Sequence, residues 1–360
     1  MRVGYVYDPI YLEHVTLNHP ESPRRLEAIM ERLADTGILS RLVRIPAMPA
    51  TTEDLERVHS ERMISQVANL AGRGGGRIDM DTLVSSRSFQ AALYAAGGTM
   101  AAVQATLDGR VDAAYALVRP PGHHATPRQS MGFCLFNNVA VAARWAQATQ
   151  GIRRIAIVDF DVHHGNGTDD AFDADPDVLY ISTHEYPLYP GTGDWRRPTH
   201  VRGVTNNLNI PLPAETDAQG YMQVFHALVE PALRRFSPEL ILVSAGYDAH
   251  WADPLAWLML SLACYYDITR SLLALSQELC PGRLVFALEG GYDLRVLAGG
   301  VEATMAALLG LPFEDPLGPA GQPGVRVEPL IRRLAEWHMI ELAPECEGAR
   351  PADASRSERS

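Results

Sequence analysis

One segment, residues 154–167 (RIAIVDFDVHHGNG), constrains the fold of this chain more than any other. Its first half predicts a buried strand, because Ile155, Ile157 and Val158 are β-branched residues that favour packed, pleated positions. Polar residues follow directly, and the glycines Gly165 and Gly167 end the strand. A buried strand that runs into a polar, glycine-containing loop is typical of a parallel sheet covered by helices.

The polar half of this segment predicts a metal site. Alternate residues of a strand share a face, so Asp159, Asp161 and His163 are expected to point the same way at the strand end. Such crowded polar groups are costly to bury unless a cation satisfies them. Aspartate and histidine are common metal ligands, and a strand end holds them rigidly.

The rest of the chain repeats an order of strand, polar loop and helix. Further strands are predicted at residues 1–8, 113–118, 178–182, 240–244 and 284–288, and helices at 24–36, within 51–70, and at 86–107, 139–150, 217–236, 260–279 and 294–310. This alternation predicts a parallel sheet with helices on both faces. Ligands of such sheets bind outside the carboxyl ends of the strands, so the polar loops should converge on one pocket.

Asp248 is the best candidate for a third metal ligand, because it follows the strand at 240–244 as Asp161 follows its own. Asp161, His163 and Asp248 would leave one position open for water and substrate, which is the pattern of catalytic zinc. Two carboxylates and one imidazole also suit Fe²⁺ or Mn²⁺, so the residues alone leave the metal open.

Three further residues suggest catalysis near this site. His123 and His124 follow the strand at 113–118, and histidine titrates near neutral pH, which suits acid and base work. Tyr292 follows two glycines and carries a hydroxyl that could donate to a developing oxyanion. Taken alone, the histidines also fit an exposed loop, and the tyrosine also fits a packing role.

Composition restricts the function. The chain has 360 residues and a formal net charge of −12, which argues against general nucleic-acid binding but not against a cationic substrate. No apolar run has the length of a membrane span. The N-terminal apolar stretch is too short, and too polar at Asp8, to be a signal peptide. The four cysteines show no CxxC spacing, which predicts a reducing, cytoplasmic compartment.

Five motifs together resemble the histone deacetylase family in order and spacing. They are PGHHA at 121–125, GFC at 132–134, DFDVHHGNG at 159–167, SAGYD at 244–248 and LEGGY at 288–292. HPESP at 19–23 and the asparagine at 166 resemble the class II branch, which includes bacterial histone deacetylase-like amidohydrolases and acetylpolyamine amidohydrolases.

The resemblance implies an α/β fold of the arginase-deacetylase type, with an eight-stranded parallel sheet in one catalytic domain at 1–313. A C-terminal extension with a flexible end would follow at 314–360. The implied activity is the zinc-dependent removal of acetyl or other short acyl groups from lysine-type or small amines. The family also contains oligomers, so a homo-oligomer is a further expectation.

The resemblance also assigns roles to single residues. Asp161, His163 and Asp248 would hold zinc, and Tyr292 would polarise the acyl carbonyl. His124 resembles the general base and acid, His123 its electrostatic partner, Asp159 the orienter of His123 and Asn166 a neighbour of His124, where many relatives carry an aspartate. Gly132, Phe133, Tyr189 and Leu255 would line the substrate channel.

Two structural potassium sites are implied as well. One would use Asp159, Asp161, His163 and Ser182, partly through backbone carbonyls, and the other Phe172, Asp175 and Val178.

Three rival functions remain. An acetylpolyamine amidohydrolase would use the same chemistry, although relatives specialised for polyamines can place an acid after the Asp-Pro pair, where this chain has Leu255. A binuclear manganese ureohydrolase needs further acidic ligands beside His163, where His164 and Gly165 stand instead. A catalytically inactive acyl-lysine binding protein is the third rival, although the expected catalytic residues are present.

Overall fold

The computed structural model describes residues 1–196, 200–201, 204–205 and 207–342. The end of the expected C-terminal extension, residues 343–360, and with it Cys346, lie outside the described residues.

Eight parallel strands form the central sheet, in the order β10-β7-β6-β11-β12-β5-β1-β2. The described strands are β1 (Val3–Val6), β2 (Val43–Ile45), β3 (Gly75–Arg77), β4 (Leu83–Ser85), β5 (Ala113–Ala116), β6 (Ile155–Asp159), β7 (Val178–Glu185), β8 (His200–Val201), β9 (Val204–Thr205), β10 (Asn207–Leu212), β11 (Leu240–Ala245) and β12 (Leu284–Leu288). The pairs β3–β4 and β8–β9 form separate antiparallel ribbons. The sheet confirms the fold expected from the sequence.

Helices cover this sheet in two groups. They are α1 (Arg24–Asp35), α2 (Thr52–Glu56), α3 (Glu61–Gly72), α4 (Ser88–Leu107), α5 (Asn138–Gln150), α6 (Asn166–Phe172), α7 (Ala218–Val224), α8 (Glu230–Phe236), α9 (Leu262–Leu279), α10 (Leu294–Leu309) and α11 (Glu328–His338), with short 3₁₀ helices at Pro9–Glu13 and Leu39–Arg41. Helices α4 and α5 pack together, and α10 packs against α1 and α9. None of the helices described here is long and apolar enough to cross a membrane.

The middle strands are buried along their whole length. Every residue of β5, β6, β11 and β12 is buried, because helices pack on both faces of the sheet. Only the loops at the ends of these strands can therefore carry polar side chains toward solvent, and ligands of parallel sheets bind at the carboxyl ends.

Several elements differ from their predicted bounds by a few residues, and two of these differences have a clear structural cause. Strand β7 continues to Glu185, beyond the predicted end at residue 182, because β10 pairs with it and Thr183 lies opposite Ile210. The helix predicted at 217–236 contains a π-helical turn at Phe225–Val229 between α7 and α8.

The segment after residue 313 packs on the same core. Helix α11 buries Ile331 and Leu334, and its neighbours are the π-helical turn and β10. The cysteines Cys134, Cys264 and Cys280 are buried and free, and the reducing compartment stays a prediction.

Candidate metal centre and active-site pocket

The site lies where five neighbouring strands of the sheet end. In the order β7-β6-β11-β12-β5, the loop after β6 carries Asp161 and His163, and the loop after β11 carries Asp248. The loop after β12 carries Tyr292, and the loop after β5 carries the pair of histidines. The strand order thus brings together residues that lie far apart in the sequence.

Asp161, His163 and Asp248 form one compact cluster, with one ligand atom from each within 4.8 Å of the others. The His163 Nδ1 atom lies 3.2 Å from Asp161 Oδ1 and 3.2 Å from Asp248 Oδ2. Asp159, predicted to share their face, instead bonds to His123 and Tyr180, because the chain leaves the strand after residue 159.

The cluster has the properties that a metal ion requires. Backbone amides hold the two carboxylates: Gly290 N donates to Asp161 Oδ2 (2.8 Å), and Val162 N donates to Asp248 Oδ1 (3.0 Å). The buried Asp248 Oδ2 atom accepts no well-aligned hydrogen bond, although His163 Nδ1 lies 3.2 Å from it. A Cβ atom at Gly290 would lie 2.1 Å from Asp248 Oδ2, so only glycine fits there. Two carboxylates, one imidazole and an unsatisfied buried oxygen fit a divalent first-row metal.

Electrostatics point the same way. Burial opposes charge on His163, but the Asp161 and Asp248 carboxylates raise its pKa to about 10. Burial and the neighbouring Asp161 carboxylate raise the pKa of Asp248. Two buried carboxylates side by side thus favour a positive charge between them, and a metal dication supplies it.

The two histidines are held differently. The His123 Nδ1 atom lies 3.1 Å from Asp159 Oδ2, and the His124 Nδ1 atom lies 2.9 Å from Asn166 Oδ1. Burial opposes charge on His123, but the carboxylates of Asp161 and Asp159 raise its pKa to about 10. Burial and the neighbouring His123 and His163 rings lower the pKa of His124 well below its ordinary value.

This arrangement prepares His124 to accept a proton. An amide oxygen only accepts hydrogen bonds, so Nδ1 of His124 must donate to Asn166, which leaves Nε2 without a proton. His124 lines the pocket, and a neutral imidazole there can act as a base.

A pocket of about 240 Å³ opens above the cluster. Its lining comprises Asp81, His124, Gly132, Phe133, His163, Leu188, Tyr189, Leu255 and Tyr292. The Tyr189 ring stands edge-on to His124, with centroids 5.1 Å apart, and the Phe133 ring stands edge-on to Tyr292 at 5.7 Å. All four predicted channel residues therefore lie in one aromatic-walled pocket with His163 and His124.

Gly132 permits this close packing. It has φ +55°, and a Cβ atom there would lie 2.5 Å from His124 Cδ2. A larger residue at this position would displace the imidazole.

Tyr292 is backed by a buried cation. The Arg25 guanidinium lies 5.1 Å from the centre of the Tyr292 ring and donates to the carbonyl oxygens of Gly291 and Glu289. Burial raises the pKa of the Tyr292 hydroxyl well above its ordinary value, and Arg25 opposes this shift. The hydroxyl therefore keeps its proton and can donate it in a hydrogen bond.

The residues of the predicted potassium sites also lie close together. Asp159 is the register partner of Ser182 on β7, next to the loop with Asp161 and His163. Phe172, Asp175 and Val178 share one turn between α6 and β7, in which Asp175 N donates to Phe172 O (3.0 Å) and Val178 N donates to Asp175 O (3.3 Å). Potassium binding at either place stays a prediction.

Sequence reasoning missed three residues that support the site. Asp81 lines the pocket on a loop that showed no motif. Asp253 is buried and bonds to the backbone of Tyr292. His59 is buried and forms hydrogen bonds with Thr126 O and Asn137 N. These two residues lie near the two ends of the segment that follows His123 and His124 and leads to α5. The Asp-Pro pair at 253–254 was the only signal that could have pointed to Asp253.

Known proteins resemble this chain over nearly its whole length. The profile of the histone deacetylase domain matches residues 19–308, a range that includes the three candidate metal ligands, both histidines and Tyr292. Histone deacetylase 14, chloroplastic, of Arabidopsis thaliana is 39% identical over 351 residues, covering 91% of this chain and 83% of the relative. A histone deacetylase-like amidohydrolase of Pseudomonas aeruginosa is 40% identical over 291 residues, covering 81% of this chain and 75% of the relative.

The fold is similar as well. The crystal structure of the HDA15 HD domain superposes with a TM-score of 0.86 at 34% identity, and the superposition covers 94% of each chain.

Proposed function

Because the chain belongs to the histone deacetylase family, we propose that it is a zinc-dependent amidohydrolase that removes acetyl or other short acyl groups from lysine-type amines. One observation carries this proposal: His163, His124 and Tyr292 line the same pocket. A metal ligand, a neutral base and a hydroxyl donor would therefore face an amide bound in this pocket. This is the set of groups that amide hydrolysis needs.

Asp161, His163 and Asp248 would hold the zinc ion. When bound, zinc supplies a water molecule of lowered pKa and polarises the amide carbonyl. His124 Nε2 takes the proton of the attacking water, while Asn166 holds Nδ1. The Tyr292 hydroxyl donates to the oxygen that becomes negative as the carbonyl carbon turns tetrahedral. His124 then returns its proton to the leaving nitrogen, and the C–N bond breaks to give acetate and a free amine.

The cationic His123 would stabilise, through electrostatic attraction, the negative charge that develops on the former carbonyl oxygen. Its Nδ1 atom bonds to Asp159, and its Nε2 atom lies 3.8 Å from Asp161 Oδ1. The pocket walls Phe133 and Tyr189 suit an unbranched alkyl stem, since flat aromatic faces bury methylene groups well.

A second candidate function is the deacetylation of acetylpolyamines. Asp81 lines the same pocket as Leu255, so the pocket carries one acidic group that could face a distal ammonium. We rank this second, because Leu255 stands where an acidic residue after the Asp-Pro pair would bring a further charge.

The metal assignment predicts the behaviour of one variant. Purified chain loaded with Zn²⁺ should hold one tightly bound ion, and Asp248→Ala should lose it, because removing one ligand leaves the other carboxylate poorly satisfied. Elemental analysis after gel filtration measures both. Full zinc occupancy in Asp248→Ala would refute the ligand set.

The activity is tested by the products. Metal-free chain titrated separately with Zn²⁺ and Fe²⁺ should release acetate and free amine in equal amounts from an acetyl-lysine peptide. Binding of the peptide without turnover at full metal occupancy would instead indicate an acyl-lysine binding protein.

A further inference from the structure

Asp253 connects the pocket entrance with the proposed oxyanion donor. Its side chain is buried, and it lies in the loop between Asp248 and Leu255. Its Oδ1 atom accepts from Leu255 N (3.1 Å), and its Oδ2 atom accepts from Tyr292 N (2.7 Å) and Asp293 N (3.1 Å). One carboxylate thus holds the backbone of two loops that belong to different strands.

The loop with Tyr292 needs such an attachment. Tyr292 follows Gly290 and Gly291, and Gly291 has φ +116°. Neither glycine has a side chain whose packing could restrain the backbone before Tyr292. The ring contacts of Tyr292 with Phe133 and Arg25 constrain its face. The bonds from Asp253 constrain the backbone from which the ring projects.

We propose that Asp253 is a positioning residue for Tyr292, which sets the place of its hydroxyl and couples it to the entrance loop at Leu255. Two acceptor oxygens are required at this position, because three backbone N–H groups converge on them. An asparagine offers one acceptor oxygen and turns an NH₂ group toward a donor. This proposal rests on the proposed function, since it assigns Tyr292 a part in catalysis.

The rival explanation is that Asp253 only stabilises loops. Asp315 provides a matched control, because its carboxylate also accepts three backbone N–H groups, from Leu317 and Gly318 on Oδ1 (2.8 and 3.0 Å) and from Ala263 on Oδ2 (3.0 Å). No residue of the pocket takes part in that arrangement.

The test is a double-mutant cycle on kcat with the zinc-loaded chain. Asp253→Asn should lower kcat by about 10²-fold, the scale of a misplacement of about 1 Å. In a Tyr292→Phe background the same change should lower kcat by less than about threefold, because the hydroxyl through which it acts is gone. Asp315→Asn should leave kcat unchanged in both backgrounds.

A crystal structure of Asp253→Asn supplies a readout independent of turnover. The Tyr292 ring should shift by about 1 Å while elemental analysis still finds one zinc ion per chain. If Asp253→Asn does not fold, Asp253→Ser, which keeps one acceptor and adds no NH₂ group, takes its place in the same cycle.

The possible outcomes distinguish a failure of the positioning role from a failure of the proposed function. Wild-type kcat in Asp253→Asn, or equal losses in the two backgrounds, would overturn the positioning role. An inactive wild type would refute the proposed function instead, and the place of the Tyr292 ring in the variant structure would still decide the positioning.

Discussion

At the scale of single residues, Tyr292 offers the sharpest test of the chemistry. If its hydroxyl stabilises the oxyanion, Tyr292→Phe should lower kcat by roughly 10²–10³, which is the effect of losing one oxyanion donor. The phenylalanine ring keeps the contacts with Phe133 and Arg25, so fold and zinc content should not change. Steady-state kinetics with an acetyl-lysine peptide measure the effect, and wild-type kcat would reassign Tyr292 to packing.

His59 links pH to the stability of the loop that begins with His123 and His124. Its Nε2 atom accepts from Asn137 N (2.9 Å), so Nδ1 carries the proton and donates to Thr126 O (3.0 Å). Burial lowers the pKa of His59 from 6.5 to about 4, because the charged ring would lose water and its accepted bond.

The sign of the pH effect follows from this lowered pKa. Between about pH 6.5 and 4 the unfolded chain binds a proton that the folded chain excludes, so stability falls as the pH falls. From about pH 7 to pH 5 the loss should be about 2 kcal/mol. His59→Gln keeps a donor and an acceptor but does not titrate, so it should lack this part of the loss.

Urea unfolding of both proteins at the two pH values measures the difference. Other titrating groups contribute equally to both and cancel. The same loss of unfolding free energy in both proteins would contradict the role of His59.

The candidate metal ligands could be found in the sequence, and the residues that support them could not. Asp161, His163 and Asp248 stand in dense motifs directly after apolar strands. Asp253 and His59 act through hydrogen bonds to the backbone of distant loops. A single aspartate or histidine in a loop belongs to no sequence pattern from which its distant hydrogen-bond partner could be predicted.

At the scale of elements, the loop between β12 and α10 is shaped by its glycines. A Cβ atom at Gly290 would lie 2.1 Å from Asp248 Oδ2 and 2.5 Å from Asp161 Oδ2. Gly290→Ala should therefore push two ligands apart and lower zinc affinity by about 10- to 100-fold or more. Gly72→Ala in α3 is the control, since nothing lies within 4 Å of its Cβ position.

Competition with a zinc-binding dye measures both affinities. Equal zinc affinity in Gly290→Ala and wild type would mean that the loop after β12 does not shape the cluster.

Elements with strong apolar patterns were predicted from the sequence, and the edge of the sheet was not. The middle strands are continuous apolar runs, and their helices follow at once. Strand β10 reads NLNIPL, and its two asparagines and proline are typical of a loop, although the pairing with β7 buries most of it. Pairing with a neighbouring strand decides whether such a segment forms a strand, so its composition alone cannot predict its secondary structure.

At the scale of the whole molecule, the strand order makes the site. The alternation of strands and helices predicted a parallel sheet and the edge at which ligands bind, but not which strands are neighbours. The order β7-β6-β11-β12-β5 places the loop of Asp248 between those of His163 and Tyr292. The resemblance to a known family implied eight parallel strands but gave no order, so the order comes from the structure.

The charge of the whole molecule also bears on the substrate. A net charge of −12 attracts cations over long distances and raises their encounter rate, most strongly at low salt. This field acts on every acetylated cation. Selectivity between substrates must therefore come from local groups of the pocket, whose lining includes Leu255 and Asp81.

Substrate preference follows from these local groups. In the pocket, Leu255 offers no charge to offset the desolvation of the distal ammonium of an acetylpolyamine, so acetyl-lysine peptides should have the higher kcat/KM. Leu255→Glu should shift the ratio toward the polyamine by about 1–3 kcal/mol, if the new carboxylate meets that cation in a partly desolvated site. Leu255→Gln, of equal size but uncharged, should leave the ratio near that of the wild type.

The measurement is kcat/KM for an acetyl-lysine peptide and for monoacetylated spermidine, with all three proteins at low and at high salt. The long-range field is nearly the same in the three, so the ratio of Glu to Gln variants isolates the local carboxylate. A wild type that already prefers the polyamine would contradict the prediction. Asp81, the acidic group of the pocket that the sequence did not reveal, would then be the residue to replace next.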